Sequence, residues 1–179
     1  METISVAVLG ATGTVGQKFI TLLEGHPYFH VTELVASEHS AGRPYAEVCR
    51  WKQDSPIPER IAHMVVKSTN EPLESLLLFS GLDSTIAGEA ERGYAEQGHL
   101  VVSNSKNYRM DPDVPLVIPE INSSHLALID HQPYEGAIVT NPNCSTIFLA
   151  MALAPLHRAF GLQAVNVTTM QAISGSGYP

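Results

Sequence analysis

The chain has 179 residues, 44% of them hydrophobic, which suffices for one buried core and the start of a second. Its formal net charge is −8, with no run of Lys or Arg, and this excludes nucleic acid and anionic membrane as expected partners. Two cysteines, Cys49 and Cys144, are too few for a disulfide framework or a zinc ribbon.

The N-terminus METISVAVLG has no positive region ahead of its apolar stretch, and no apolar run reaches the ~18 residues of a membrane span. The expectation is a cytoplasmic protein with reduced thiols and no membrane partner. ISVAVLG (4–10) predicts a strand ending in glycine. TVGQKFITLLEGH follows, with Val15, Phe19, Leu22 and Leu23 at helical spacing and Gly25 as the stop. FHVTELVAS predicts a second strand, and residues 38–60, with Gly42, Pro44, Pro56 and Pro58, a loop. RIAHMVVKS and SLLLFS predict two more strands, STIAGEAERGYAEQG a helix, and HLVVSN a strand. PLVIPEIN predicts an extended piece between prolines. GAIVTN predicts a strand, a helix opens near Cys144, and AVNVTTMQAIS predicts a long closing strand. The strands are apolar throughout and alternate with helices. That pattern predicts a doubly wound α/β fold of Rossmann type, with a mostly parallel sheet covered on both faces and ligands at the carboxyl ends of its strands.

Gly10, Gly13 and Gly16 lie between the first strand and the first helix at G-x-x-G-x-x-G spacing. Such glycines permit a tight turn, close approach to phosphate and close helix–strand packing, and the helix N-terminus then faces a pyrophosphate. The context predicts a dinucleotide site. An Asp or Glu ending the second strand would hold the ribose of NAD. Here the strand runs into VASEHSAGR. Ser37 and Ser40 suit a 2′-phosphate, and Arg43 or a protonated His39 can pair with it, while a carboxylate on Glu38 would repel it. The balance favours NADP.

In TNPNCSTI, Pro142 follows a strand, and Asn143 or Ser145 can cap the next helix. Cys144 therefore lies at a helix N-terminus near the ligand end of the sheet, where the thiolate is favoured. Cys49, in AEVCRW, has no such setting and reads as packing. A dinucleotide loop and an activated thiol together predict redox chemistry through a thioester. The eight His show no metal-binding spacing, and no metal is expected.

GATGTVGQKF, SAGR, SNSKNYRMDPDVPLVIPEIN, NPNCST and MQAISGSGYP resemble the aspartate-β-semialdehyde dehydrogenases, in order and spacing along essentially the whole chain. The Cys motif and the RMDPDVPLVIPEIN block carry most of the specificity. Malonyl-CoA reductase is similar enough to be the close alternative, and N-acetylglutamyl-phosphate reductase is a more distant relative. The resemblance implies an NADP-dependent reductive dephosphorylation of aspartyl phosphate to aspartate semialdehyde, in a homo-oligomer. It implies Cys144 as the acyl-thioester nucleophile, Asn143 positioning substrate, Arg109 holding phosphate and Gln171 orienting the acyl group. Glu120 bears on the substrate or only braces its loop. Thr12, Gly13, Thr14 and Val15 would wrap the pyrophosphate, with Ser37 and Ser40 at the 2′-phosphate. Ser80, Ser174 and Gly175 join the cofactor set, the last two by the nicotinamide. The plainer alternatives are a solvated loop charge for Arg109 and a strand-surface amide for Gln171.

Residues 1–142 are expected to form the dinucleotide-binding domain and 143–179 to begin the catalytic and dimerisation domain. The chain departs from the family at His39, where a basic residue is usual, and it has roughly half the family's length. The expectation is an N-terminal half, the catalytic His lying elsewhere, that binds cofactor without turnover. The rival from another class is a non-enzymatic NADP-binding fragment.

Overall fold

The structure, a computed structural model, describes residues 3–172. In chain order the elements are β1 (Ile4–Leu9), α1 (Thr14–Leu23), β2 (Phe29–Ala36), α2 (Tyr45–Val48), α3 (Glu59–Ala62), β3 (Lys67–Ser68), β4 (Leu77–Ser80), α4 (Ser84–Glu96) and β5 (Leu100–Ser103). Then come α5 (Pro119–Asn122), a 3-10 run (Ser123–His131), β6 (Ala137–Thr140) and α6 (Cys144–Phe160). The six strands form one sheet in the order β3-β2-β1-β4-β5-β6, and every pairing is parallel. This is the expected doubly wound arrangement.

Alternation along β1 divides the core between the two faces. Val6 and Val8 pack with Ile20 and Leu23 of α1, Leu34 of β2, and Tyr45 and Ile61 of the short helices. Ala7 and Leu9 face the other way, onto Leu78, Ala87, Tyr94, Ala95, Val101 and Ile138. Both faces are buried, so these strands carry apolar residues at successive positions. Each buried aliphatic side chain contributes about 1.5–3 kcal/mol.

Four expectations are corrected. RIAHMVVKS is not one strand. Pro58, with φ −57°, stands at the N-cap of α3, Ala62 N–H donates to the Pro58 carbonyl at 3.0 Å, and only Lys67 and Ser68 pair with β2. Residues 38–60 are mostly loop, as expected, but hold α2 and the start of α3. PLVIPEIN is extended only at its start, where Leu116 bridges Thr140; Pro119, preset for the first helical turn, then begins α5. The described part of AVNVTTMQAIS, residues 164–172, forms no strand. A strand needs a neighbour's ladder, and its apolar residues Val165, Val167 and Met170 are exposed instead.

Candidate functional site

The carboxyl ends of the central strands are in register: Leu9 aligns with Ser80, Ser80 with Ser103, and Ser103 with Thr140. The segments leaving these strands enclose one cleft of about 780 Å³. At one end it is lined by Gly10, Thr12, Gly13, Thr14, Val15 and Ser37; at the other by Arg109, Asn143, Cys144 and Gln171. The glycine loop and the cysteine, 128 residues apart from Gly16 to Cys144, thus belong to one site.

The glycines are needed where they stand. Gly10 has φ +72°, and a Cβ there would lie 2.7 Å from the Gly81 carbonyl oxygen. A Cβ on Gly16 would overlap the Gly10 carbonyl, so α1 approaches the end of β1 more closely than a side chain permits. Gly16 is therefore a packing glycine behind the loop and does not line the cleft. The loop is held from behind: Tyr45 Oη donates to the Ala11 carbonyl at 2.8 Å, and buried Gln17 donates from Nε2 to the Thr12 carbonyl at 2.8 Å.

Three helices begin at this cleft. Their N-terminal residues Thr14, Ser84 and Cys144 all line it, and so do the cationic side chains Lys106 and Arg109. Helix N-termini carry unpaired N–H groups and the positive end of the dipole. The cleft is suited to anions although the whole chain is acidic.

Cys144 is exposed and is the first residue of α6. Asn143 rather than Ser145 caps that helix, its Oδ1 accepting from Thr146 N–H at 2.8 Å. Gln171 Nε2 donates to Cys144 Sγ at 3.6 Å. Arg109 is half-buried; its Nη2 donates to the Asn104 carbonyl at 2.8 Å, while its Nε is buried without a protein partner. Burial lowers the guanidinium pKa from its ordinary value, against the opposing influence of Cys144 close by. An arginine so placed, half-buried in the cleft that also holds Cys144, is not a fully solvated loop charge. Cys49 is half-buried with no place in the cleft, and burial raises its thiol pKa against the bond with Tyr45.

Other expected residues sit elsewhere. Ser80 is fully buried, and its Oγ donates to Glu91 Oε1 at 2.6 Å instead of facing the cleft. Ser40 does not line the cleft; it lies on the turn after β2, where its N–H donates to the Ser37 carbonyl at 2.8 Å. On the same turn, Glu38 accepts from Asn70 Nδ2 at 3.0 Å, and Arg43 pairs with Glu47 at 3.7 Å. Glu120 is exposed on α5 outside the cleft lining, and only its backbone carbonyl is engaged, by Arg158 Nη2 at 3.4 Å. Ser174 and Gly175 lie outside the described residues.

The segments after β4 and β5 contribute residues that motif and spacing alone do not single out. Gly81, Asp83, Ser84, Asn104, Ser105 and Lys106 all line the cleft. The signal was present in SGLDS and SNSK, small polar runs at strand ends, where ligands of doubly wound sheets bind.

Residues 5–129 match the family described as "Semialdehyde dehydrogenase, NAD binding domain". An aspartate-semialdehyde dehydrogenase from Cryptococcus neoformans is 51% identical over 186 residues, covering 98% of this chain and 51% of the relative. One from Methanothermobacter thermautotrophicus is 48% identical over 98% of this chain and 52% of the relative. Among solved structures, aspartate semialdehyde dehydrogenase with NADP from Candida albicans superposes with a TM-score of 0.83 at 41% identity, covering 90% of this chain and 48% of that one. A Vibrio cholerae aspartate semialdehyde dehydrogenase II complexed with ASA gives 0.72 at 28% identity, over 90% of this chain and 49% of the other. The chain spans about half the length of the curated relatives it matches.

Proposed function

This chain belongs to the semialdehyde dehydrogenase family, and we propose that it is the cofactor- and thiol-bearing half of an NADP-dependent aspartate-semialdehyde dehydrogenase. The observation that carries this reading is the single cleft shared by the glycine loop, Arg109 and Cys144. Residues 1–142 then form the dinucleotide-binding domain, and 143–179 begin the catalytic domain of a homo-oligomer. No helix among the described residues is long and apolar enough to cross a membrane, and the free thiols suit the cytoplasm.

The residues fit NADP. Thr12 to Val15 are open to the cleft at the N-terminus of α1, and Ser37 lies at the end of β2. Between them, Gly10 and Gly81 keep the two strand ends free of side chains. When bound as NADPH, the cofactor supplies a hydride to the acyl carbon.

The chain's own part is the acyl transfer. Cys144 Sγ, as thiolate, attacks the acyl carbon of aspartyl 4-phosphate; the C–O bond to phosphate breaks, and a thioester and free phosphate result. Arg109 holds the phosphate bidentately while the bond breaks. Gln171, which donates to the thiol, and the first N–H groups of α6 would steady the acyl oxygen as it gains negative charge. After reduction the C–S bond breaks, and aspartate 4-semialdehyde leaves with the thiolate restored.

The test runs the reaction in reverse with the complete protein: NADPH formation from aspartate semialdehyde and phosphate, with Cys144→Ala as the blank. Phosphate-dependent turnover lost in Cys144→Ala supports the proposal. Turnover that survives the substitution, or reduction of malonyl-CoA in place of aspartyl phosphate, overturns it.

A further inference from the structure

Glu91 stands on α4 with no solvent exposure, and its carboxyl is bonded to hydroxyls, with no ion pair to it among the described residues. A carboxylate is costly to bury unless its oxygens are hydrogen-bonded. Here Oε1 accepts from Ser80 Oγ at 2.6 Å and from Ser103 Oγ at 2.7 Å, whereas Oε2 has no protein partner. Burial raises the carboxyl's pKa, and the two hydroxyl bonds oppose the rise. The two serines are register partners, the last residues of β4 and β5. Each hydroxyl gives its one proton to Glu91, and each oxygen also faces the backbone N–H two residues on: Leu82 N–H at 3.5 Å from Ser80, and Ser105 N–H at 3.0 Å from Ser103.

Those N–H groups lie in the two segments that wall the cleft. The first segment, Gly81 to Ser84, faces the glycine loop. The second starts at Asn104, whose carbonyl accepts from Arg109 Nη2 at 2.8 Å and whose Oδ1 accepts from Asn141 Nδ2 at 3.0 Å, three residues before Cys144. The strand ends are already joined by the parallel ladder, so pairing of β4 with β5 does not require the carboxylate.

We infer that Glu91 is a positioning residue. Through Ser80 it sets the wall on the cofactor side of the cleft, and through Ser103 it sets Asn104 and hence Arg109 on the phosphate side. The inference rests on the dehydrogenase reading above. It predicts a division of effects that a plain structural staple would not produce.

The experiment uses the complete protein with Ser80→Ala, Ser103→Ala, Glu91→Leu and Glu91→Gln. Thermal melting, the NADP Kd by calorimetry and the phosphate KM are read for each. Ser80→Ala should weaken NADP about three- to tenfold and leave the phosphate KM within about twofold, the size of one or two neutral hydrogen bonds. Ser103→Ala should do the reverse. Glu91→Leu should move both constants, and Glu91→Gln, which keeps an acceptor at Oε1, should lie nearer the wild type. If Glu91→Leu does not fold, the serine pair decides alone. Serine variants that lower only the melting temperature, or that shift both constants equally, overturn the inference. A wild-type protein that binds no NADP overturns the parent reading instead, and is recognised before any variant is compared.

Discussion

Gln171 Nε2 lies 3.6 Å from Cys144 Sγ, a donor brought to the thiol from 27 residues further along the chain. Residues 161–172 form no helix or strand, yet this one side chain returns to the start of α6. An amide there can serve the thiolate and then the acyl oxygen in turn. Gln171→Leu in the complete protein should lower kcat about ten- to a hundredfold, the worth of a hydrogen bond to a charged group. The NADP Kd should not move. Steady-state kinetics and a cofactor titration check this, and an unchanged kcat returns Gln171 to a surface amide.

The two thiols should react at different rates. Cys144 is exposed at the N-terminus of α6, open to a reagent in the cleft. Cys49 is half-buried, and its burial favours the neutral thiol. Brief iodoacetamide treatment at neutral pH followed by peptide mapping should find Cys144 alkylated first. Faster labelling of Cys49 would remove Cys144 from the nucleophile's role.

Cofactor choice turns on Glu38. Its carboxylate accepts from Asn70 at 3.0 Å, and this tie holds it toward the turn that follows β3. With Glu38 engaged, Ser37 is the polar side chain at the end of β2 that lines the cleft, beside Ala36. NADP should therefore bind more tightly than NAD, and Asn70→Ala, which frees the carboxylate to repel a 2′-phosphate, should narrow the gap. Calorimetric titrations of both cofactors decide it; equal affinities, or NAD the tighter, would make Glu38 a ribose ligand.

Arg109→Ala should raise the phosphate KM about ten- to a hundredfold, the range for a charge-assisted pair. The guanidinium is fixed at Nη2 by the Asn104 carbonyl and keeps a buried, unpartnered Nε. Arg109→Lys should recover little of the loss, because an ammonium cannot reproduce the planar fork. An unchanged phosphate KM would contradict the role.

Much of this site was legible in the sequence because it depends on local chemistry. GATGTVG between an apolar strand and a helix points to a dinucleotide site, and the polar residues around Cys144 point to a helix cap, although only the structure selects Asn143 over Ser145. Long-range geometry was not legible. Ser80 and Ser40 both read as polar groups near strand ends, but in the fold Ser80 turns inward to Glu91. Glu91 itself, in GEAERG, has the sequence signature of a solvated helix face. The helical turn at 59–62 has the composition of a strand, since RIAHMVVKS is apolar at Ile61 and Val66, but the structure buries one from a helix and the other from the approach to β3. The run from Ala164 has strand composition, but composition does not provide the neighbouring strand that a ladder needs.

The final prediction concerns catalysis by this 179-residue chain alone. Thioester chemistry needs a group beside the thiol to take and return a proton, most often a histidine. Among the described residues, no histidine lines the cleft. His157 is on the same helix as Cys144 but 13 residues on, about 20 Å along the axis at 1.5 Å per residue. Its Nδ1 instead accepts from Leu162 N–H at 3.2 Å at the far end of α6. His99 is buried against the Ser75 carbonyl, and His125 is bonded to Asn122. Moreover, α6 buries none of its residues, and Phe148 and Phe160 are 74% and 82% exposed. Val165, Val167 and Met170 are exposed as well, and exposed apolar side chains in this number favour association. The chain alone should therefore hold NADP weakly, self-associate or aggregate, and show no turnover. Light scattering reports the association. NADPH formation from aspartate semialdehyde and phosphate, with Cys144→Ala as the blank, reports the chemistry. A rate of about 1 per second or faster, in the ordinary range for enzymes, would mean that this chain supplies its own proton-transfer group and that the cleft closes around one not yet beside the thiol.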